Sequence, residues 1–318
     1  MANDTMIDIQ SVSRSFRQTL AVDSITLSIQ RGELFGIVGP DGAGKSTLLR
    51  MMAAILNPTG GTIAIAGHDS VKDAEDIKSI MGYMPQGFGL YTDLSVQENL
   101  RFTADVYGVT GAQLEKRLPV LYEFTDLASF KDYQAGKLSG GMKKKLALAC
   151  AIIHEPPLLL LDEPTTGVDP VARRGFWDLL SGLHAQGTTT VVSTPYMDEA
   201  ERCNRVALLY NGRVLACDSP SAIKARVPGA VLALTSSDNR RLAPLLLGLS
   251  GVIDIQTYGN LLNIIVTDRD TVRSRILDLF DSEQIDDYTL EDAPMRMEEA
   301  FIYLVNHAEG ALPEEVAS

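Results

Sequence analysis

Gly39-Pro40-Asp41-Gly42-Ala43-Gly44-Lys45-Ser46-Thr47 sets glycines, a lysine and two hydroxyls at the spacing GxxxxGK(S/T). Glycines let backbone amides curl around phosphate oxygens, a lysine in this place adds a point charge for the outer phosphates, and Ser46 can ligate Mg²⁺. A glycine-rich turn with an incidental lysine is the plain alternative, and context decides against it. Leu34 to Val38 reads as a strand and Ser46 to Leu56 as a helix, so the loop falls where a strand hands over to a helix N-terminus, which favours anions. The loop is therefore expected to hold the phosphates of a ligand together with Mg²⁺.

Such a site needs a second half that holds a metal and polarises a water. Leu158-Leu159-Leu160-Leu161-Asp162-Glu163 is an apolar run ending in two carboxylates. Asp162 is the candidate for the metal shell together with Ser46, and Glu163 the candidate base for the attacking water. Many strands end in a solvated acid, so the pair gains weight only beside the phosphate loop.

The elements that must carry these groups alternate. After the loop helix, Asn57-Pro58-Thr59-Gly60-Gly61 turns into a strand over Thr62 to Ala66, and Leu158 to Leu161 and Thr188 to Ser193 are buried-strand candidates separated by a helix over Val171 to Gln186. Alternation of this kind predicts an α/β fold with a mainly parallel sheet covered on both faces. Residues from about Ala104 to Gln134 lack strand runs and predict part of a helical subdomain, spanning about 87–150.

A second pattern follows Ser219-Pro220-Ser221 and Pro228-Gly229. It reads as strand Ala230 to Thr235, helix Arg241 to Leu249, strands Val252 to Thr257 and Leu261 to Thr267, helix Thr271 to Phe280, strand Tyr288 to Glu291 and helix Met297 to His307. The order βαββαβ predicts a small ferredoxin-like α+β domain. The expected division is thus 1–225, 226–308 and a loose acidic tail over 309–318, with no internal repeat.

At Lys137 to Ala149, KLSGGMKKKLALA, the chain resembles the ATP-binding-cassette (ABC) family, whose signature is an LSGGQ-like element opening a helix. Ser139 with the amides of Gly140 and Gly141 at a helix start can grip a terminal phosphate, although such a stretch by itself is commonly just a cap. The resemblance implies that this grip serves the nucleotide held by a second subunit. It also implies roles for Gln86, in Tyr83-Met84-Pro85-Gln86, on Mg²⁺ and the water; for Gly87 to Tyr91 against a membrane subunit; for Phe16 stacking on adenine; and for Asp169, in Gly167-Val168-Asp169-Pro170, near a dimer interface. Lys143-Lys144-Lys145 reads as a solvated helix face. The resemblance spans about residues 5 to 225. Within the family the motifs look most like the ATPases of ABC-2-type exporters, in particular the N-terminal half of YbhF-type multidrug exporters, and the last helix pattern resembles their appended domain.

One position departs. Where the family usually places a histidine that contacts the terminal phosphate, Ser193-Thr194-Pro195-Tyr196-Met197-Asp198-Glu199-Ala200 has Pro195, which offers neither a side-chain donor nor a backbone N–H. Proline can simply end a strand. The alternative reading is a degenerate site that binds Mg-ATP and turns it over poorly, while its own Ser139, Gly140 and Gly141 complete the site of an unlike partner. The expected partners are an ABC-2-type membrane permease and a second ABC ATPase subunit or domain, as a heterodimer rather than a homodimer.

Composition narrows the classes. The chain has 318 residues, 45% of them hydrophobic, and a net charge of −13, which argues against nucleic acid or anionic lipid as main partner. Its longest apolar runs are far short of the ~20 residues that cross a bilayer, and Met1 to Gln10 carries no basic-then-apolar export pattern, so a cytoplasmic protein held at the inner membrane face by its permease is expected. Cys150, Cys203 and Cys217 have no metal-ligand spacing and read as reduced core thiols. Three rivals remain open at this point: a soluble cassette ATPase acting on ribosomes or nucleic acid, a non-hydrolysing ATP sensor, and, within transport, an importer ATPase.

Overall fold

The computed structural model describes residues 4–87 and 89–309. Phe88, inside the segment expected to meet a membrane subunit, the first three residues, and the acidic stretch from residue 310 lie outside the described residues. Contacts divide the chain between Asp218 and Ser219, before the boundary at 225 read from the sequence.

The first unit runs β1 (Thr5–Phe16), β2 (Thr19–Gln30), β3 (Leu34–Val38), α1 (Lys45–Met52), β4 (Gly60–Ile65), β5 (His68–Asp69), α2 (Ala74–Ile80), β6 (Met81–Met84), α3 (Val96–Val106), α4 (Gly111–Thr125), α5 (Gly140–Ala151), β7 (Leu158–Asp162), α6 (Pro170–Ala185), β8 (Thr189–Thr194), α7 (Met197–Ala200), β9 (Arg205–Tyr210) and β10 (Arg213–Asp218). Its main sheet has the order β10-β9-β3-β8-β7-β6 and is parallel except for β10. β3 and β7 are almost wholly apolar, and β3, β7 and β8 are buried at every residue, as strands covered on both faces must be, although β8 carries Thr189, Thr190, Ser193 and Thr194.

A second, antiparallel sheet, β2-β1-β4-β5, was not expected. It takes in the strand read at Thr62 to Ala66, which pairs with β1 and not with the parallel sheet. The cue is the period-two pattern of β2, where Ile25, Leu27 and Ile29 are buried and polar residues alternate with them. Helix α1 contacts strands of both sheets, and Leu48, Leu49, Met51 and Met52 are fully buried. It stops at Met52, short of the expected Leu56, because the amides of Ile55 and Leu56 both close on the Arg50 carbonyl around Ala54, whose φ is 52°. Helices α3 and α4 both pack on α5, and α3 opens with a capping box between Ser95 and Glu98.

The second unit runs α8 (Pro220–Lys224), β11 (Ala230–Ser236), α9 (Asn239–Leu247), β12 (Val252–Tyr258), β13 (Leu261–Val266), α10 (Arg269–Ser282), β14 (Tyr288–Ala293) and α11 (Met297–Glu309). Its sheet is antiparallel in the order β12-β13-β11-β14. One face packs Leu232, Leu234, Leu262 and Ile264 against Leu242 and Leu246 of α9 and Ile276 and Phe280 of α10. Inclusion of α8 in this unit, through its contacts with α11, is why the division falls after Asp218.

Candidate functional site

Strand order puts three chain segments at one sheet edge. β8 lies between β3 and β7, with Thr194 level with Val38 and Ser193 level with Asp162, so the phosphate loop, the segment after β8 and the carboxylate pair emerge side by side at the carboxyl ends.

The loop conformation is available only to glycine at two places. A β-carbon at Gly39 would lie 2.2 Å from the Leu209 carbonyl oxygen, and one at Gly44, where φ is 100°, would lie 2.4 Å from that of Ala21. Gly44 also leaves the start of α1 without a side-chain cap, so no side chain competes with an anion for its first-turn amides. Lys45 is buried, and its Nζ donates to the carbonyls of Gly39 and Pro40, 2.9 Å each. Asp41 is almost fully exposed.

Asp162 is fully buried at the end of β7. Its Oδ1 accepts hydrogen bonds from Ser46 Oγ and Ser193 Oγ, both at 2.8 Å, while Oδ2 is buried with no hydrogen-bond partner. A bare carboxylate oxygen beside a serine hydroxyl suits a hard cation such as Mg²⁺, which prefers oxygen ligands and keeps few from the protein. Glu163 follows with φ 48°, a strained value for a side-chain-bearing residue, held by its amide on the Ser193 carbonyl and hydroxyl. Its carboxylate meets Lys45 Nζ at 3.2 Å, Gln86 Nε2 at 2.9 Å and Thr166 Oγ1 at 3.3 Å. Lys45, Ser46, Gln86, Asp162 and Glu163 therefore form one cluster drawn from three segments of the chain.

Lys144 joins it. This side chain is buried, not solvated as the lysine triplet suggested, and its Nζ donates to the carbonyls of Gln86 at 3.1 Å and Glu163 at 3.5 Å. Burial pushes its ammonium below the usual lysine range, against the opposing pull of Glu163 and Asp162. A cue existed: Lys144 shares a helix face with the buried Leu148 and Ala151, at i+4 and i+7.

The segment after β8 is organised differently. Gly39 N–H donates to the Thr194 carbonyl at 3.3 Å, tying it to the phosphate loop. Thr194 Oγ1 donates to Glu199 Oε2 at 2.6 Å and accepts the Tyr196 N–H at 3.1 Å, bridging over Pro195. The buried Glu199 also accepts from Thr165 Oγ1 at 2.8 Å and Arg173 Nε at 3.2 Å, and the Arg173 guanidinium lies 4.2 Å from the Tyr196 ring centroid. Among the described residues, none of the hydrogen bonds or ion pairs of this segment or of the Lys45 cluster involves a histidine.

The remaining candidates stand apart from the cluster. Ser139 caps α5, accepting the Met142 N–H at 3.2 Å, and is exposed with Gly140; a β-carbon on Gly141 would meet Ala172 Cβ at 2.8 Å. Asp169 caps α6, with Oδ1 on the amides of Val171 and Ala172 at 3.0 Å. Phe16 ends β1 half exposed, with the Arg14 guanidinium 4.7 Å over its ring.

Comparison with known proteins places this geometry. The family model described as ABC transporter matches residues 22–166, from β2 through the carboxylate pair. The Probable multidrug ABC transporter ATP-binding protein YbhF of Escherichia coli (strain K12) is 39% identical over 310 residues, 96% of this chain and 53% of that protein. The chain belongs to the ABC transporter family. It spans about half the length of the YbhF relatives it matches. The Nod factor export ATP-binding protein I of Burkholderia pseudomallei (strain 1710b) is 41% identical over 215 residues, 67% of this chain and 71% of that protein. Among solved structures, the ATP-binding subunit of an ABC transporter aligns at TM-score 0.64 with 31% identity, covering 70% of this cassette chain and 93% of the other. A dimeric post-hydrolysis state of the ATP-binding cassette MJ0796 bound to ADP and Pi aligns at TM-score 0.62 with 26% identity, covering 67% and 98%. The chain has the P-loop ABC ATPase fold.

Proposed function

We propose that this chain is the ATP-binding and ATP-hydrolysing cassette of an exporter, with its nucleotide site at the Lys45 cluster. The observation that carries the reading is the bare, buried Asp162 Oδ2 beside Ser46, within one cluster that also holds Lys45, Gln86 and Glu163. Gly39, Asp41, Gly42, Ala43, Gly44 and Thr47 shape the phosphate loop, and Phe16 offers an aromatic face for adenine. Ser46 and Asp162, with Gln86, would hold Mg²⁺, which neutralises charge on the outer phosphates when bound. Lys45 turns from Glu163 toward the phosphates as they arrive, because their charge exceeds that of one carboxylate. Glu163, thus released, takes the proton of the attacking water; the new bond forms between that oxygen and the γ-phosphorus as the bridge to ADP breaks.

Turnover at this site is slow on the same reading. Pro195 has no donor, and the hydroxyls around it are committed: Ser193 to Asp162, Thr194 to Glu199. Ser139 and Gly140, both exposed, and the half-buried Gly141, none of them bonded to the chain's own cluster, serve the nucleotide of a second ABC ATPase subunit or domain, with Asp169 at that interface. The partners are that unlike ATPase and an ABC-2-type permease at the inner membrane face, contacted through Gly87 to Tyr91. The names of the YbhF and Nod factor export relatives support the export direction.

The test is Mg-dependent ATP hydrolysis by the purified chain, by Pro195→His, and by each mixed with a co-purifying ATPase. One positioned transition-state donor is worth ~10²–10³ in rate, so Pro195→His should raise turnover by at least about tenfold at similar ATP affinity. Vigorous hydrolysis by the unmodified chain alone, indifferent to that substitution, would sink the slow-site reading.

A further inference from the structure

We infer that Lys144 is a positioning residue, a strut that locks the main chain of Gln86 and Glu163 together and fixes both to the helix that Ser139 opens. The role rests on the reading of Glu163 as base and Gln86 as its companion. Three elements meet at one ammonium: α5, which carries Lys144; the loop after β6, through the Gln86 carbonyl; and the turn after β7, through the Glu163 carbonyl. The side chains of those same two residues meet each other, Gln86 Nε2 on Glu163 Oε2 at 2.9 Å. Backbone and side chain together therefore close a ring around the carboxylate. Glu163 needs it: its amide bonds to Ser193 set one side of a backbone held at φ 48°, and Lys144 engages its carbonyl on the other. A cation is suited to the task because one ammonium donates in several directions, and charge-assisted bonds to carbonyls are stronger than neutral ones.

The consequence is that the arrangement of the chain's own carboxylate depends on where α5 sits. Ser139 caps the helix that carries Lys144, so an engaged or disengaged signature end reaches Gln86 and Glu163 through the Lys144 side chain, alongside the packing of α5 on β6. In the phosphate loop itself the lysine is Lys45, whose Nζ bonds the carbonyls of Gly39 and Pro40, whereas Lys144 bonds those of Gln86 and Glu163.

The experiment uses the full chain and Lys144→Met, with two readouts. The first is hydrogen exchange without nucleotide. Exchange should rise in the segments around residues 84–87 and 163–166 and stay unchanged in β11 and β13 of the second unit; unchanged exchange in both of the first segments overturns the proposal whatever the turnover. The second is kinetics. Misplacing a reacting group by about an ångström costs up to ~10²-fold, so turnover should fall about 10- to 100-fold with ATP affinity within about twofold, and Lys144→Met should add nothing to Glu163→Gln. Loss of affinity in step with turnover, or full additivity with Glu163→Gln, overturns the proposal. Should Lys144→Met not fold, Lys144→Gln against Lys144→Arg is read by the same exchange, the arginine variant expected to protect both segments better. A wild-type chain that does not bind Mg-ATP would instead defeat the functional reading, which separates the two failures.

Discussion

At the end of β7, Lys45, Gln86 and Thr166 converge on the Glu163 carboxylate while Asp162 keeps one oxygen bare; at the end of β8, its neighbour in the sheet, Glu199 binds Thr165, Thr194 and Arg173 and leaves no donor of Thr194 unspent. Both groups centre on a buried glutamate. The first is a cluster with unmet coordination, an arrangement that favours an incoming phosphate and cation; the second is saturated by its own protein partners, an arrangement that favours shape. The contrast shows how the segment at Pro195 is held by bonds between its neighbours. It is a clasp between the phosphate loop, the turn at Thr165 and helix α6, and its structural bonds do not pass through residue 195.

Three substitutions would break or sharpen that contrast. Glu163→Gln should have the largest effect, lowering turnover ~10²–10⁴-fold because a general base is lost, with ATP affinity and stability nearly unchanged. Steady-state hydrolysis alongside equilibrium nucleotide binding checks it, and equal loss of binding would remove Glu163 from the chemistry. Glu199→Ala should reverse the pattern. It strands two hydroxyls and half of the Arg173 pairing in a buried place, a loss of about 3 kcal/mol read by chemical denaturation, with turnover per folded molecule falling only a few-fold. If it instead matched Glu163→Gln in turnover and spared stability, the clasp would be catalytic and the comparison wrong. Asp169→Ala should be smallest: loss of the α6 cap costs about 1 kcal/mol, while ATP affinity at the chain's own site holds. A drop in that affinity would show that Asp169 acts on its own cluster and not at an interface.

Much of this was legible in the residues themselves. The phosphate loop was readable because its glycines, Lys45 and Ser46 fall within one short stretch, Gly39 to Ser46, so their pattern is local. The second unit was readable for the same reason: its helices and strands announce their periods one after another, and the observed elements, from β11 to α11, start and end within a few residues of those expected. Tails of elements were less legible, as in α1, where a left-handed Ala54 closes the helix before its apolar pattern ends.

What the chain's order alone determined was the chemistry on offer: a GxxxxGK(S/T) loop, a carboxylate pair after an apolar strand, a serine before two glycines at a helix start, and a proline at 195. Tertiary structure decided who meets whom. Only the placing of β8 between β3 and β7 sets Ser193 against Asp162 and Pro195 beside the loop. The helix face hinted that Lys144 is the buried one of three lysines, but only the packing of α5 sets it on the Gln86 and Glu163 carbonyls, and only folding brings Arg173 and Thr165 to Glu199. The physical reason is common to all three. Side-chain type and spacing encode local period and reactivity, whereas burial and pairing across many residues depend on strand order and helix docking, which no short window of sequence contains.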